Sequence, residues 1–267
     1  MIACKQLPAT NYDTICRFVN NGLLTLSVAM NRVMLLLTDA AHYMVKAAKT
    51  LKVFYPNMIH VTCIAHGINR IAEAIRQLLP DTNKLVNNGK KAFLKAPSRI
   101  SKYKEIMINL PLPPEPVITR WGTWLEAALF YADNFAKFVE VVDNLEDDAE
   151  CVKKLKAIVQ SSSLKNELTF LKANLSFLNS SLTKLEKQGM PLHVSIEIVK
   201  FVENQINCIP GPKGAVIKKK YIDVVSKNTG FEFVCNFAKI ITGEHNVNVN
   251  NYSSDLIAFF KYAPISS

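Results

Sequence analysis

A continuous apolar run, "VMLLLT" at 33–38, stops abruptly at Asp39 and is followed at once by a stretch with helical spacing. That stretch, "AAHYMVKAAKTLKVF", carries Met44, Val45, Ala48, Leu51 and Val53 at its apolar positions. A second β-prone run, "MIHVTC" at 58–63, leads into "AHGINRIAEAIRQLL", where Ile68, Ile71, Ala72, Ile75 and Leu79 share one helical face. Strand, helix, strand, helix within so short a span predicts a βαβ unit, whose strands run parallel because a crossover helix joins them. The unbroken apolar character of the first strand predicts burial on both of its faces. Two strands do not make a stable sheet, and no later segment has comparable strand character. The sheet is expected to be incomplete.

Helices are expected nearly everywhere else. One is predicted over 12–26, with Ile15, Phe18, Val19 and Leu23 inward. From Asp81 onward the pattern is helical, interrupted by "NLPLPPEPVITRW" at 109–121, where proline forbids helix. Thr119 is placed to cap the long helix that follows, and the Asp147–Asp148 pair to start the next. Gly189 with Pro191, and "CIPGPKG" at 208–214, separate the remaining helices. Leu164, Leu168, Leu171, Leu175, Leu178, Leu182 and Leu185 alternate spacings of four and three, the pattern of a dimerising coiled coil. Phe170, Ala173 and Phe177 lie on another side of the same helix, and a helix apolar on more than one side is usually buried within a bundle. Burial in a bundle is the favoured reading.

The chain of 267 residues is about half hydrophobic and carries a formal net charge of +10. It is long enough to bury a core. The charge is uneven: Arg70, Arg76, Lys84, Lys90, Lys91, Lys95, Arg99, Lys102 and Lys104 face only Glu73 and Asp81 within 70–104. Lys213, Lys218, Lys219 and Lys220 form a second cluster. Such clusters attract polyanions, nucleic acid above all, although a solvated lysine face has the same composition. Six scattered cysteines suggest reduced thiols rather than a disulfide framework, and hence a cytoplasmic or nuclear setting. The N-terminus has no signal-peptide pattern, and no apolar run is long enough to span a bilayer, so no membrane partner is expected.

Three groups of residues could carry chemistry. Asp39 stands where α/β sheets place their ligands, at the C-terminal end of a parallel strand, and could hold a divalent metal ion. From spacing alone the favoured reading is that it caps the following helix. Cys63 and His66 form a C-x-x-H at the end of the second strand, half of a zinc site with no second pair to complete it. Arg120 and Trp121 could contact phosphate and stack on a base, or the tryptophan could simply pack. No glycine-rich phosphate loop, G-x-S-x-G elbow or H-E-x-x-H is present.

Taken in order, "LLLTDAAHYMVKA", "IHVTCIAHGINRIAEAIR" and "PLPPEPVITRWGTWLEAALFYA" resemble the middle of hAT-superfamily DNA transposases. The resemblance covers nearly the whole chain and implies an RNase H-like core interrupted by a long helical insertion. The fold class expected is α/β but helix-dominated, a partial RNase H-like core on the βαβ unit with a large all-α insertion domain. Its implied divisions are a core and basic helical segment at 1–118, a helical insertion domain at 119–250 and a C-terminal segment at 251–267. In the family's pattern Asp39 matches the second of three acidic ligands for Mg²⁺ or Mn²⁺. Cys63 and His66 match its C-x-x-H beside the active site, and Arg120 and Trp121 its R-W pair, where the tryptophan steadies an extruded base.

The resemblance also implies that the first acidic ligand lies before this chain begins. The same resemblance places the last in a V-E-R-like segment expected just beyond Ser267. The expectation is therefore a truncated, catalytically inactive transposase relative that binds no metal productively. DNA is its expected partner, through Arg70, Arg76, Lys90, Lys91, Lys95, Arg120 and Trp121. The alternative is a domesticated DNA- or protein-binding module. Self-association, or a second chain supplying the missing strands, is the remaining partner reading.

Overall fold

The computed structural model describes residues 4–117 and 122–244. The expected cap Thr119, the pair Arg120 and Trp121, and the segment 251–267 lie outside the described residues. In chain order the first elements are α1 (Tyr12–Thr25), β1 (Leu35–Thr38), α2 (His42–Phe54), β2 (Ile59–Thr62) and α3 (Ile64–Leu78). There follow α4 (Pro80–Phe93), α5 (Pro97–Ile106), α6 (Thr123–Asp143), α7 (Glu150–Val159) and α8 (Ser162–Leu185). The last are α9 (Leu192–Cys208), α10 (Gly211–Ser226) and α11 (Phe231–Ile241). The described chain is helix-dominated, with one parallel sheet of two strands.

The chain divides into two compact units. The first comprises Met1–Gly67, Gly189–Val199 and Ile222–Ser267, and the second Ile68–Gln188 and Lys200–Tyr221. In the first unit β1 and β2 pair in parallel with Leu35 opposite Ile59 and Thr38 opposite Thr62. One sheet face is closed by α1 and α2. Leu51, Tyr55 and Met58 are buried there against Cys16, Val19, Leu23, Val33 and Leu36. The Tyr55 hydroxyl donates to Asn20 Oδ1 at 2.7 Å, which ties the end of α2 to α1. A capping box starts α1: Asn11 Oδ1 accepts from the Thr14 amide, and the Asn11 amide donates to Thr14 Oγ1. On the other face Phe233 of α11 packs on Met34 and Ile59.

That second cover is partial. Leu35 and Leu37 remain 49% and 60% exposed, so β1 is not buried on both faces as its apolar run predicted. The reason is positional, since α11 lies over β2 and the entry to β1 and leaves the middle of β1 bare.

The second unit is a helical bundle. The predicted leucine seam on α8 is spent inside it: Leu164, Leu168, Leu171, Leu175, Leu178 and Leu182 are buried, and α8 packs chiefly on α6. Phe177 meets Phe201 edge-on, as expected of a two-sided helix, whereas Ala173 faces solvent. An aromatic cluster of Phe93, Tyr103, Tyr131 and Phe138 joins α4, α5 and α6 through edge-to-face contacts. Asp147 and Asp148 do not cap α7, which starts at Glu150. They pair instead with Lys156 and Arg99.

The proline-rich stretch is fixed at both ends. The Tyr103 hydroxyl donates to the Pro111 carbonyl at 2.6 Å, and Thr123 Oγ1 bonds both the amide and the carbonyl of Val117. Burial raises the Tyr103 phenol from 10.0 to about 12, and raises Tyr131 further. The neutral phenols are thus favoured in the folded state. Their contribution is complete below pH 10 and is lost as pH climbs towards about 12. Thermal melts through that range should show a steep alkaline loss of stability in the wild type. The loss should be shallower in Tyr103→Phe, which also gives up about 1 kcal/mol at neutral pH with its hydrogen bond. Equal slopes for the two proteins would refute the assignment.

Candidate functional site

Parallel pairing sets Asp39 and Cys63 side by side, one residue beyond the ends of β1 and β2. The strand ends are stitched together: the Cys63 amide donates to the Thr38 carbonyl at 2.7 Å. Thr38 Oγ1 lies 2.8 Å from His60 Nε2 and donates to the Asp39 carbonyl, so the exit of β1 is held by side chain as well as backbone. Burial lowers the His60 pKa and favours the neutral imidazole in this position. His66 is in the first turn of α3, half-buried as Cys63 is.

Asp39 has a defined structural task. Its Oδ1 accepts the Ala41 amide at 2.9 Å, two residues on, and the formal N-cap of α2 is Ala41, with no side-chain cap. Asp39 is thus an Asx-type turn former that bends the chain from strand into helix, two residues ahead of the N-cap position. Among the described residues, no group of three or more His, Cys, Asp or Glu could hold a metal ion. A two-ion centre of the kind the resemblance implies needs several oxygen ligands. Among the described residues Asp39, half-buried and with Oδ1 engaged, supplies too few of them. Among the described residues, no second pair joins Cys63 and His66 to make a zinc site.

The basic residues belong to the second unit and sort by partner. Lys84 pairs with Asp81, Lys90 with Glu115, and Arg99 with Asp148 and the Ala92 carbonyl. Arg76 Nε donates to Asn83 Oδ1, which also accepts Trp124 Nε1. Lys91, Lys95, Lys102 and Lys104 are exposed and make no ion pair with a described residue. Lys91 is in the last turn of α4, Lys102 and Lys104 are on α5, and Lys95 lies in the three-residue turn between them with φ 53. Arg70 is half-buried on α3. In the second cluster, Lys213 stands 5.3 Å over the Phe170 ring while Lys218 and Lys219 are exposed on α10.

Two features were not foreseen from the sequence. Asn228 clamps the outer edge of β2, its Oδ1 accepting the Thr62 amide at 2.9 Å and its Nδ2 donating to the Thr62 carbonyl at 2.7 Å. Beside that clamp, a cleft of about 470 Å³ runs between α2 and β2, with Lys49, Lys52 and Lys227 at its rim. The only prior signal was the turn-like "KNTG" at 227–230. No protein-family model matches the chain, and no curated protein is similar to it in sequence.

Proposed function

We propose that the chain is a DNA-binding polypeptide of hAT-transposase type, with a partial RNase H-like core, that does not cleave DNA by itself. The observation that carries DNA binding is the set Lys91, Lys95, Lys102 and Lys104, exposed on α4, α5 and their turn with no acidic partner among the described residues. Ammonium groups held on adjacent rigid helices suit phosphate backbone, a contact that carries charge but no base information. The transposase descent rests on the order of motifs along the chain. The strand-to-helix geometry at Asp39 and the C-x-x-H following β2 support it. Lack of cleavage is supported by the bond that Asp39 Oδ1 accepts from the Ala41 amide within its own turn.

Four phosphate contacts predict a steep salt dependence. Affinity for a duplex of arbitrary sequence should fall on the order of 10²-fold between about 50 and about 200 mM salt. Replacing the four lysines with alanine should abolish most of that slope, as read by fluorescence anisotropy. Salt-insensitive binding, or an unchanged slope in the variant, would sink the assignment. In a plasmid-nicking assay with Mg²⁺ or Mn²⁺, wild type and Asp39→Asn should both match the no-protein control. Metal-dependent nicking lost in Asp39→Asn would overturn the second half of the proposal.

A further inference from the structure

The cleft between α2 and β2 is a built cavity with a consistent chemistry. Its floor is apolar, from Val45, Ala48, Met58 and Ile59, and among the described residues no Asp or Glu lines it. Its size falls in the range of small-molecule sites. Lys49 and Lys52 are three residues apart on α2, hence neighbours on one helix surface. Lys52 Nζ is fixed by donating to the Pro56 and Met58 carbonyls, at 2.7 and 2.6 Å, which leaves its remaining N–H for a ligand. Lys227, at the opposite rim, is paired with Asp223 at 2.7 Å.

The far wall cannot easily collapse. Asn228 fastens it to Thr62 in both directions, and Gly230 lies so close to the His60 carbonyl that a Cβ there would overlap it. Thr62 and Thr229 add hydroxyls that can donate to an oxyanion.

We propose that this cleft binds a small organic phosphate monoester, its apolar body on the Val45–Met58 floor and its phosphate between the ammonium groups of Lys49 and Lys52. Apolar floor and cationic rim together select such a ligand over either part alone. Burial already disfavours the charge on Lys52, and an anion in contact would restore it.

Calorimetry on the full chain with phenyl phosphate, inorganic phosphate and phenol tests the proposal. Phenyl phosphate should bind at least about tenfold more tightly than either of the others. Lys49→Met, which removes no backbone contact of Lys52, should weaken it about tenfold, and Lys52→Met at least as much. Equal affinities for phenyl and inorganic phosphate, or binding unchanged in Lys49→Met, would overturn the site. Competition by a 5′-phosphorylated oligonucleotide, but not its 5′-hydroxyl form, would place the natural source at nucleic-acid ends. Failure of both to compete would place it among free phosphate esters. Both Met variants should keep wild-type affinity for duplex DNA, since that binding is assigned to α4 and α5, so the two readings can fail independently.

Discussion

Glu167→Ala is expected to lower the stability of the helical unit by about 3 kcal/mol, one of the largest single-residue effects in this chain. Glu167 is 4% exposed on α8, and its Oε2 accepts both the Thr82 amide at 2.7 Å and Thr82 Oγ1 at 3.0 Å. Thr82 is in the first turn of α4, where backbone amides have no partner within the helix, and the residue before Pro80 gives no side-chain cap. Glu167 therefore caps α4 from another helix. A carboxylate at a helix N-terminus also meets the positive end of the helix dipole.

Truncation to alanine strips both bonds, leaves a buried amide and hydroxyl unsatisfied, and opens a gap between α4 and α8. Glu167→Gln keeps an acceptor in place and should cost about 1 kcal/mol. Chemical denaturation of the wild type, Glu167→Ala, Thr82→Ala and the double variant gives the coupling energy. A coupling near zero would show that the two residues do not act together.

Glu167 also shows what the sequence could not display. On α8 it reads as one more charged residue on a solvated face, and its partner is 85 residues away. The same is true of Asn228, whose partner Thr62 is 166 residues distant. By contrast, the elements that depend on near neighbours were legible. β1, β2, the helix at 12–25, the proline-rich break and the buried leucine seam of α8 all follow from local periodicity and breakers.

β1 marks the border between the two cases. Its strand character follows from a run of leucines, but which leucines are covered depends on where α11 lands, and that is set by contacts made almost 200 residues later. At Asp39 the residue pattern allowed a cap or a metal ligand. The geometry shows the carboxylate closing a two-residue turn ahead of the helix, whose N-cap is Ala41. The basic segment was legible as charge but not as surface. Ion pairing removes Lys84, Lys90 and Arg99 from the free set, and only tertiary structure places Glu115 beside Lys90 and Asp148 beside Arg99.

Gly230→Ala is expected to cost a further large amount, about 3 kcal/mol in the first unit, although the backbone conformation there suits alanine. With φ −88 and ψ −3, Gly230 needs no left-handed freedom. Its constraint is proximity: a Cβ would overlap the His60 carbonyl oxygen and lie 2.7 Å from Val61 Cγ2. The carbonyl belongs to the sheet and cannot swing aside as a flexible side chain could. The turn at 227–230 must therefore back away from β2, and the two bonds between Asn228 and Thr62 lengthen or break together. The start of α11 moves with it, loosening Phe233 from Ile59 and Met34.

Gly22→Ala supplies the contrast. Gly22 is inside α1, nothing lies within 4 Å of the added carbon, and the change should stabilise by about 0.5–1 kcal/mol. Two glycine substitutions of opposite sign, measured in one denaturation series, separate close packing from helix propensity. Phenyl phosphate binding should be lost in Gly230→Ala and kept in Gly22→Ala, because only the first displaces a wall of the cleft. If Gly230→Ala were as stable as the wild type, the turn would not be seated on β2.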